Sequence, residues 1–335
     1  MKALAWLLLV LAPVFAAMAM PPAAQPWRWR LPKGLSPPQV PPDNPMSAAK
    51  VALGRRLFHD ADLSIDGTMS CASCHEQKRG FADGNATRPG VHGDPGRRNV
   101  PGLANIAWLP RLTWADPGLT TLEAQVAVPV LGLHPVEMGM AGKEAEIARR
   151  LEADACYRRM FGAAFPDRRG AINLATVSAA LAAFERTLLS FDSPYDHYLQ
   201  GRKAALSPAA RRGRDSFFGA SGCAACHAGP NLTDARYHAV PIAPTAADRG
   251  LVEKTGRAED DGRFRTPSLR NVAVTGPWLH DGSATTLDEA LRRHPMPVAA
   301  GDRPDLIAFL QSLTDPGFLR DRRFAYPDRV CGRAS

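Results

Sequence analysis

Two five-residue stretches, Cys71-Ala72-Ser73-Cys74-His75 and Cys223-Ala224-Ala225-Cys226-His227, share the spacing Cys-x-x-Cys-His. Two thiols one helical turn apart can each form a thioether with a vinyl group of a haem while the adjacent histidine reaches the iron. Zinc or paired disulfides would need further Cys/His pairs, which the chain does not offer. The motifs therefore read as two covalently bound haem c groups, the first on Cys71, Cys74 and His75 and the second on Cys223, Cys226 and His227.

The surroundings of the motifs repeat as well. Pro101-Gly102-Leu103-Ala104-Asn105-Ile106-Ala107 follows the first motif, and Pro267-Ser268-Leu269-Arg270-Asn271-Val272-Ala273 follows the second. Thr120-Thr121-Leu122-Glu123-Ala124 is matched by Thr285-Thr286-Leu287-Asp288-Glu289-Ala290. The order helix, haem motif, PxLxN, TTL-helix thus occurs twice, which argues for internal duplication of one haem-binding unit.

The two copies differ seven residues past the leucine of each TTL segment, where the first has Pro129 and the second His294. Proline cannot bind iron and imidazole is an excellent ligand. If each TTL helix faces the sixth position of its own haem, the second haem is closed by two ligands and passes electrons, whereas the first is open to a small molecule such as hydrogen peroxide. Met296, two residues on, competes with His294 for the ligand role. Beside the open face, Glu137 can move a proton between peroxide oxygens as a general acid-base, and Gln125, one turn before Pro129, can hydrogen-bond the bound oxygen. The plain alternative for Glu137 is a surface carboxylate on a turn, and for His134 a structural loop histidine.

These residues need helices to position them. A helix from Ser47 through Val51, Leu53, Leu57 and Phe58 leads into the first motif, and Ser207-Pro208 opens another before the second. Thr120 to Glu123 form a capping box for a helix that Pro129 should cut short. Asn173 caps a helix with Leu174, Val177, Leu181, Phe184 and Leu188 on one stripe, an ordinary core face. Thr286 caps a further helix, and Leu306, Phe309, Leu310 and Leu313 pack a last one over 305–313. Residues 80–118, dense in Gly, Pro, Asn and Asp, read as long loops forming pocket walls. Strand-like alternation is nearly absent, so the fold class is mostly α.

Met1 to Met20 has the layout of an export signal: Lys2, an apolar run, then Ala17-Met18-Ala19 as a cleavage site after Ala19. An uncleaved anchor is the alternative. No later segment is long and apolar enough to cross a bilayer, so the mature protein is expected in the periplasm without a stable membrane span. We divide the chain into the signal peptide 1–19, a proline-rich arm 20–45, a first haem domain 46–198 and a second 199–335. The formal charge of +8 from 41 Lys and Arg against 33 Asp and Glu is scattered, without a compact basic run alternating with aromatics. Nucleic acid is therefore not expected as a partner, and a basic rim for an acidic protein remains open. Of six cysteines, Cys156 and Cys331 are left over, an even remainder that in an oxidising compartment suggests a disulfide pinning the C-terminal tail to the first domain.

The motifs, together with Val51-Ala52-Leu53-Gly54-Arg55-Arg56-Leu57-Phe58, Phe264-Arg265-Thr266-Pro267 and His280-Asp281-Gly282-Ser283, resemble those of the bacterial di-haem cytochrome c peroxidase and MauG family. The resemblance covers most of the chain. It implies two cytochrome-c-like helical domains, with His75 as proximal ligand of a peroxidatic haem and His227 as that of an electron-transfer haem. It also implies Glu137 and Gln125 as the distal pair, Trp114 between the haems, and a calcium ion at the domain interface near Asn99 and Thr266. His92, in Val91-His92-Gly93, lies about one residue from where many such peroxidases carry a removable histidine ligand. The second haem in the family is usually closed by methionine or tyrosine, and His294 departs from both. The stretch between Gln125 and Glu137 is about two residues longer than in the two named groups, similar to the MbnH-like branch paired with small copper-binding proteins, which oxidises a tryptophan on its partner.

The expected function is that of a peroxidase-type oxidoreductase that shares high-valent oxidising equivalents between its haems and oxidises a partner protein. One alternative is a peroxide-detoxifying enzyme reduced by a small cytochrome or cupredoxin. Another is a non-catalytic di-haem electron carrier, which would need both irons six-coordinate.

Overall fold

The computed structural model describes residues 27–239, 248–296 and 298–334, so the expected signal peptide lies outside the described residues. Eleven α-helices occur among them: α1 (Ala48–Phe58), α2 (Cys71–Cys74), α3 (Leu122–Leu131), α4 (Glu144–Ala153), α5 (Ala155–Ala164), α6 (Leu174–Glu185), α7 (Pro194–Leu199), α8 (Pro208–Phe218), α9 (Val252–Thr255), α10 (Leu287–Arg292) and α11 (Arg303–Gln311). Strand is confined to two short antiparallel pairs, β1 (Tyr237–Ala239) with β2 (Arg263–Arg265) and β3 (Arg329–Val330) with β4 (Arg333–Ala334). The fold is mostly helical, and no described helix is long and apolar enough to cross a membrane.

Several helix starts follow from their caps. Ser47, Thr121, Asn173, Ser207 and Thr286 each accept a backbone N–H of the first turn of α1, α3, α6, α8 and α10, satisfying donors that have no partner inside the helix. Pro129 does not end α3 as expected. The helix runs two residues further, to Leu131. Proline lacks the N–H that would bond the Gln125 carbonyl, and the helix end is held by the returning chain, where Met138 N–H donates to Pro129 O and Met140 N–H to Val130 O, satisfying carbonyls without a partner inside the helix.

Two hydrophobic clusters organise the chain. The first gathers Leu53, Leu57 and Phe58 of α1, Val126 and Val130 of α3, and Val177, Leu181 and Phe184 of α6. The second gathers Ala210 and Phe217 of α8 with Leu306, Phe309 and Leu310 of α11. In each, the helix before the motif presses against the last helix through a glycine. A Cβ on Gly54 would lie 1.9 Å from the Ala180 carbonyl oxygen, and one on Gly213 would lie 1.9 Å from that of Asp305. The chain from 318 onward returns to the first cluster through Phe318 and Phe324, and Cys331 is disulfide-bonded to Cys156 of α5 with the Cα atoms 5.9 Å apart.

The proline-rich arm carries no helix over 27–45 and lies on the first half. Asn44 is buried where its amide donates to Glu123 at 2.6 Å and to the Ala179 carbonyl at 3.0 Å. Loops join the halves. Arg98 pairs in bidentate fashion with Asp248 at 2.7 and 2.8 Å, Lys254 meets Asp116 at 3.0 Å, and Asn99 N–H donates to the His280 carbonyl at 2.7 Å.

Candidate active site

Each histidine of the two motifs is oriented by a carbonyl a few residues downstream. His75 Nδ1 lies 2.7 Å from Phe81 O, and His227 Nδ1 lies 3.0 Å from Leu232 O. Donation from Nδ1–H to a carbonyl leaves Nε2 as the free lone pair, the tautomer a metal ligand requires. Phe81 and Leu232 both have positive φ, 66° and 51°, conformations that bulky residues avoid. That local cost turns each carbonyl towards its histidine. Burial lowers both imidazole pKa values, that of His227 to about 4 with His294 as the second cause, so both rings are neutral at pH 7 and suited to binding iron.

The second motif has a partner across from it. The His294 ring, just beyond the end of α10, lies 6.0 Å from the His227 ring, centroid to centroid. Since a metal–imidazole bond is about 2 Å, that separation fits one metal held between two facing rings. Met296 is 43% exposed and packs beside Gly222.

Opposite the first motif, α3 places Gln125 and Pro129 four residues apart on one face. Gln125 Oε1 is buried without a hydrogen-bond partner among the described residues, an orphaned polar atom suited to a ligand in the cleft. The bond from Met138 N–H to Pro129 O folds the following segment back, which brings Glu137 alongside the helix end. Burial alone raises the Glu137 pKa above the usual carboxyl range. His134 is exposed and precedes a cis proline. His92 is exposed, but Val91 N–H donates to Glu137 O at 2.8 Å, so His92 stands beside the loop that carries Glu137.

Trp114 is buried where the halves meet. Its indole N–H donates to Asn99 O at 2.7 Å, its own carbonyl accepts Arg265 N–H at 2.8 Å, and it clusters with Phe264. The Thr266 carbonyl, in the region where a calcium ion is expected, accepts Thr233 Oγ1 at 2.7 Å and Arg265 Nη1 at 3.2 Å.

A family model described as di-haem cytochrome c peroxidase matches residues 48–204. The cytochrome-c peroxidase IdrP1 of Denitromonas iodatirespirans is 34% identical over 84% of this chain and 86% of its own. The chain belongs to the di-haem cytochrome c peroxidase and MauG family. The methylamine utilization protein MauG of Methylorubrum extorquens is 33% identical over 85% of this chain and 83% of its own. A crystal structure of a MauG-like protein associated with microbial copper homeostasis superposes with a TM-score of 0.86 at 41% identity, covering 90% of this chain and all of that one. The protein is thus a di-haem oxidoreductase acting on peroxide.

The histidines, Gln125, Glu137 and Trp114 are named by residue type and spacing, whereas the carbonyls of Phe81 and Leu232 carry no signal in residue type and Arg265 none in its spacing.

Proposed function

We propose that the chain reduces hydrogen peroxide at the haem on Cys71, Cys74 and His75, and draws the electrons from a tryptophan side chain of a partner protein in the periplasm. The observation that carries this reading is the contrast between Pro129 in α3, a residue with no atom to bind iron, and the 6.0 Å pairing of His227 with His294. When bound, the haems supply the redox chemistry by which peroxide takes up two electrons and two protons and leaves as two waters.

The residues do the rest. Glu137 accepts the proton of one peroxide oxygen and delivers it to the other, and Gln125 steadies the bound oxygen by a hydrogen bond. The raised Glu137 pKa makes it a better base for a neutral acid such as peroxide once it is ionised. Trp114, fixed by Asn99 on one side and Arg265 on the other, supplies an aromatic step between the halves. His294, as a harder ligand than methionine, would lower the potential of the second haem and favour holding oxidising equivalents over accepting electrons from a carrier.

Likeness to the MauG-like copper-homeostasis protein supports a protein side chain as the electron source. The test is the addition of one equivalent of peroxide to the fully oxidised protein. It should produce a long-lived state two equivalents above rest, and its absence would sink the reading. Likeness to proteins named cytochrome-c peroxidase favours a second reading, detoxification fed by a small cytochrome or cupredoxin. That reading requires Met296 ligation, a high-potential second haem and fast turnover with the reduced carrier.

A further inference from the structure

Arg265, the last residue of β2, is 3% exposed. Its hydrogen bonds run to neutral carbonyls, from Nε to Thr113 O at 3.0 Å and from Nη1 to Thr266 O at 3.2 Å. Arg270, five residues on and equally buried, shows what such a group normally has: its Nη1 meets both carboxylate oxygens of Asp196 at 2.6 and 2.7 Å. No described carboxylate plays that part for Arg265. Tyr237, a neutral phenol, stands directly opposite in the β1–β2 register, and burial pulls the guanidinium pKa down to about 10. A buried, unpaired cation is costly to keep, so an anion belongs there.

The surroundings fit an anion. The Tyr237 hydroxyl is buried with no hydrogen-bond partner among the described residues. The Arg111 guanidinium lies 5.8 Å from the centre of the Tyr237 ring. Two guanidinium groups and an unused phenol therefore converge where the Trp114 loop meets β1 and β2. The place also adjoins the second motif. Thr266 is hydrogen-bonded to Thr233 and Arg236, in the segment after His227, and the next residue of β1, His238, has its ring nitrogen within 4.8 Å of Cys226 Sγ.

We propose that Arg265, with Tyr237 and Arg111, is the seat of a propionate carboxylate of the haem attached at Cys223 and Cys226. This rests on the reading of that motif as a haem attachment. A bidentate guanidinium is matched to a carboxylate, and the phenol adds a third donor. Because the Arg265 backbone also donates to the Trp114 carbonyl, the same residue ties the carboxylate of one haem to the aromatic bridge.

The experiment uses the full-length holoprotein carrying Arg265→Gln, Arg265→Lys or Tyr237→Phe. Haem content is counted first, because fewer than two haems per chain in the unaltered protein defeats the attachment reading and, with it, this proposal. The midpoint potential of each haem is then followed by redox titration with spectroscopic separation of the two. Removing a positive charge beside a propionate favours the oxidised iron, so Arg265→Gln should lower the potential of the second haem and leave the first unchanged. Arg265→Lys should recover part of the shift, and Tyr237→Phe should give a smaller shift of the same sign. If Arg265→Gln does not fold, Tyr237→Phe decides, since that hydroxyl has no protein partner to lose. A shift confined to the first haem, no shift in either, or a shift that follows added acetate or chloride in the unaltered protein would each overturn the assignment.

Discussion

Gly54 lets α1 press onto α6, and Gly213 does the same for α8 and α11. Asn105 and Asn271 both adopt left-handed backbone, at φ 56° and 60°, and each hydrogen-bonds the segment after the last helix of its own half: Asn105 to Ser190 N–H at 2.7 Å, Asn271 to Asp315 N–H at 2.8 Å. Both motif histidines are held by a carbonyl at positive φ. The frame around the two motifs is therefore alike at these positions, although the first motif is a turn of α-helix and the second a 3-10 turn. What differs is the facing wall, with Pro129, Gln125 and Glu137 in one half and His294 in the other. Another difference follows from the helix contacts: five residues beyond the glycine contact stands Glu185 in α6 and Leu310 in α11. On the proposed reading, the comparison separates holding a haem, assigned to the shared frame, from leaving it reactive, assigned to a few substitutions in one half.

The comparison breaks most sharply at Glu137. Glu137→Gln should slow the reaction with peroxide about 10²- to 10⁴-fold, the usual worth of a positioned general acid-base, while the potential of the second haem stays unchanged. Stopped-flow absorbance measures the rate and a redox titration the potential. The pH dependence has a definite sign: burial raises the Glu137 pKa, and the role requires the carboxylate, so the rate should rise with pH through an apparent pKa above the ordinary glutamate range. In the glutamine variant that rise should vanish. A variant as fast as the unaltered protein would leave Glu137 as a carboxylate on a turn.

The shared frame is tested by the glycines. Gly54→Ala and Gly213→Ala each place a methyl where a carbonyl oxygen stands 1.9 Å away, so the helices must separate. Each should cost about 3 kcal/mol or more, the upper range for overpacking, read as a lowered midpoint in denaturant. Loss of haem should be confined to the half that carries the substitution. Equal loss from both halves would show that the two cores are not independent.

Much of this was legible in the sequence for a physical reason: haem attachment, helix caps and the Pro129/His294 contrast depend on residue type at fixed spacing. Asn173, Ser207 and Thr286 cap where their side chains predict, whereas α3 is capped by Thr121, one residue past the expected Thr120, because Glu123 is drawn to Asn44 and Arg186 rather than back to the cap. The rest depends on what the chain meets far away. Phe81 and Leu232 are poor candidates for positive φ, and only the tertiary position of the histidine explains them. Phe318 and Phe324 lie near the end of the second half in sequence, yet pack in the first cluster. Pro129 predicts a helix end by its own chemistry, and only the returning Met138 and Met140 amides reveal why α3 continues. Arg265 reads as one scattered arginine among many until its surroundings show that no carboxylate is near.

Glu185 gives the smallest effect and the finest test of the comparison. Its carboxyl pKa is pushed up to about 8 by burial, Arg186 opposing and Glu123 reinforcing, whereas Leu310 at the matching place of the second half does not titrate. An acid whose folded pKa lies above its unfolded value of 4.5 binds its proton more tightly in the native state. Its contribution is complete below about pH 4.5 and is lost as pH rises towards 8. Glu185→Gln keeps the neutral shape at every pH, so the variant should match the unaltered protein near pH 5 and exceed it near pH 8. The side chain is only part-buried, and the gain should be on the order of 1 to 2 kcal/mol after hydration of the ionised form. Thermal unfolding at the two pH values measures it, and Leu310→Ala, a simple loss of packing, should give a deficit that does not change with pH. If the glutamine variant tracks the unaltered protein across the whole range, Glu185 is ionised in the native state and the asymmetry between the halves is confined to the wall formed by α3 and Glu137.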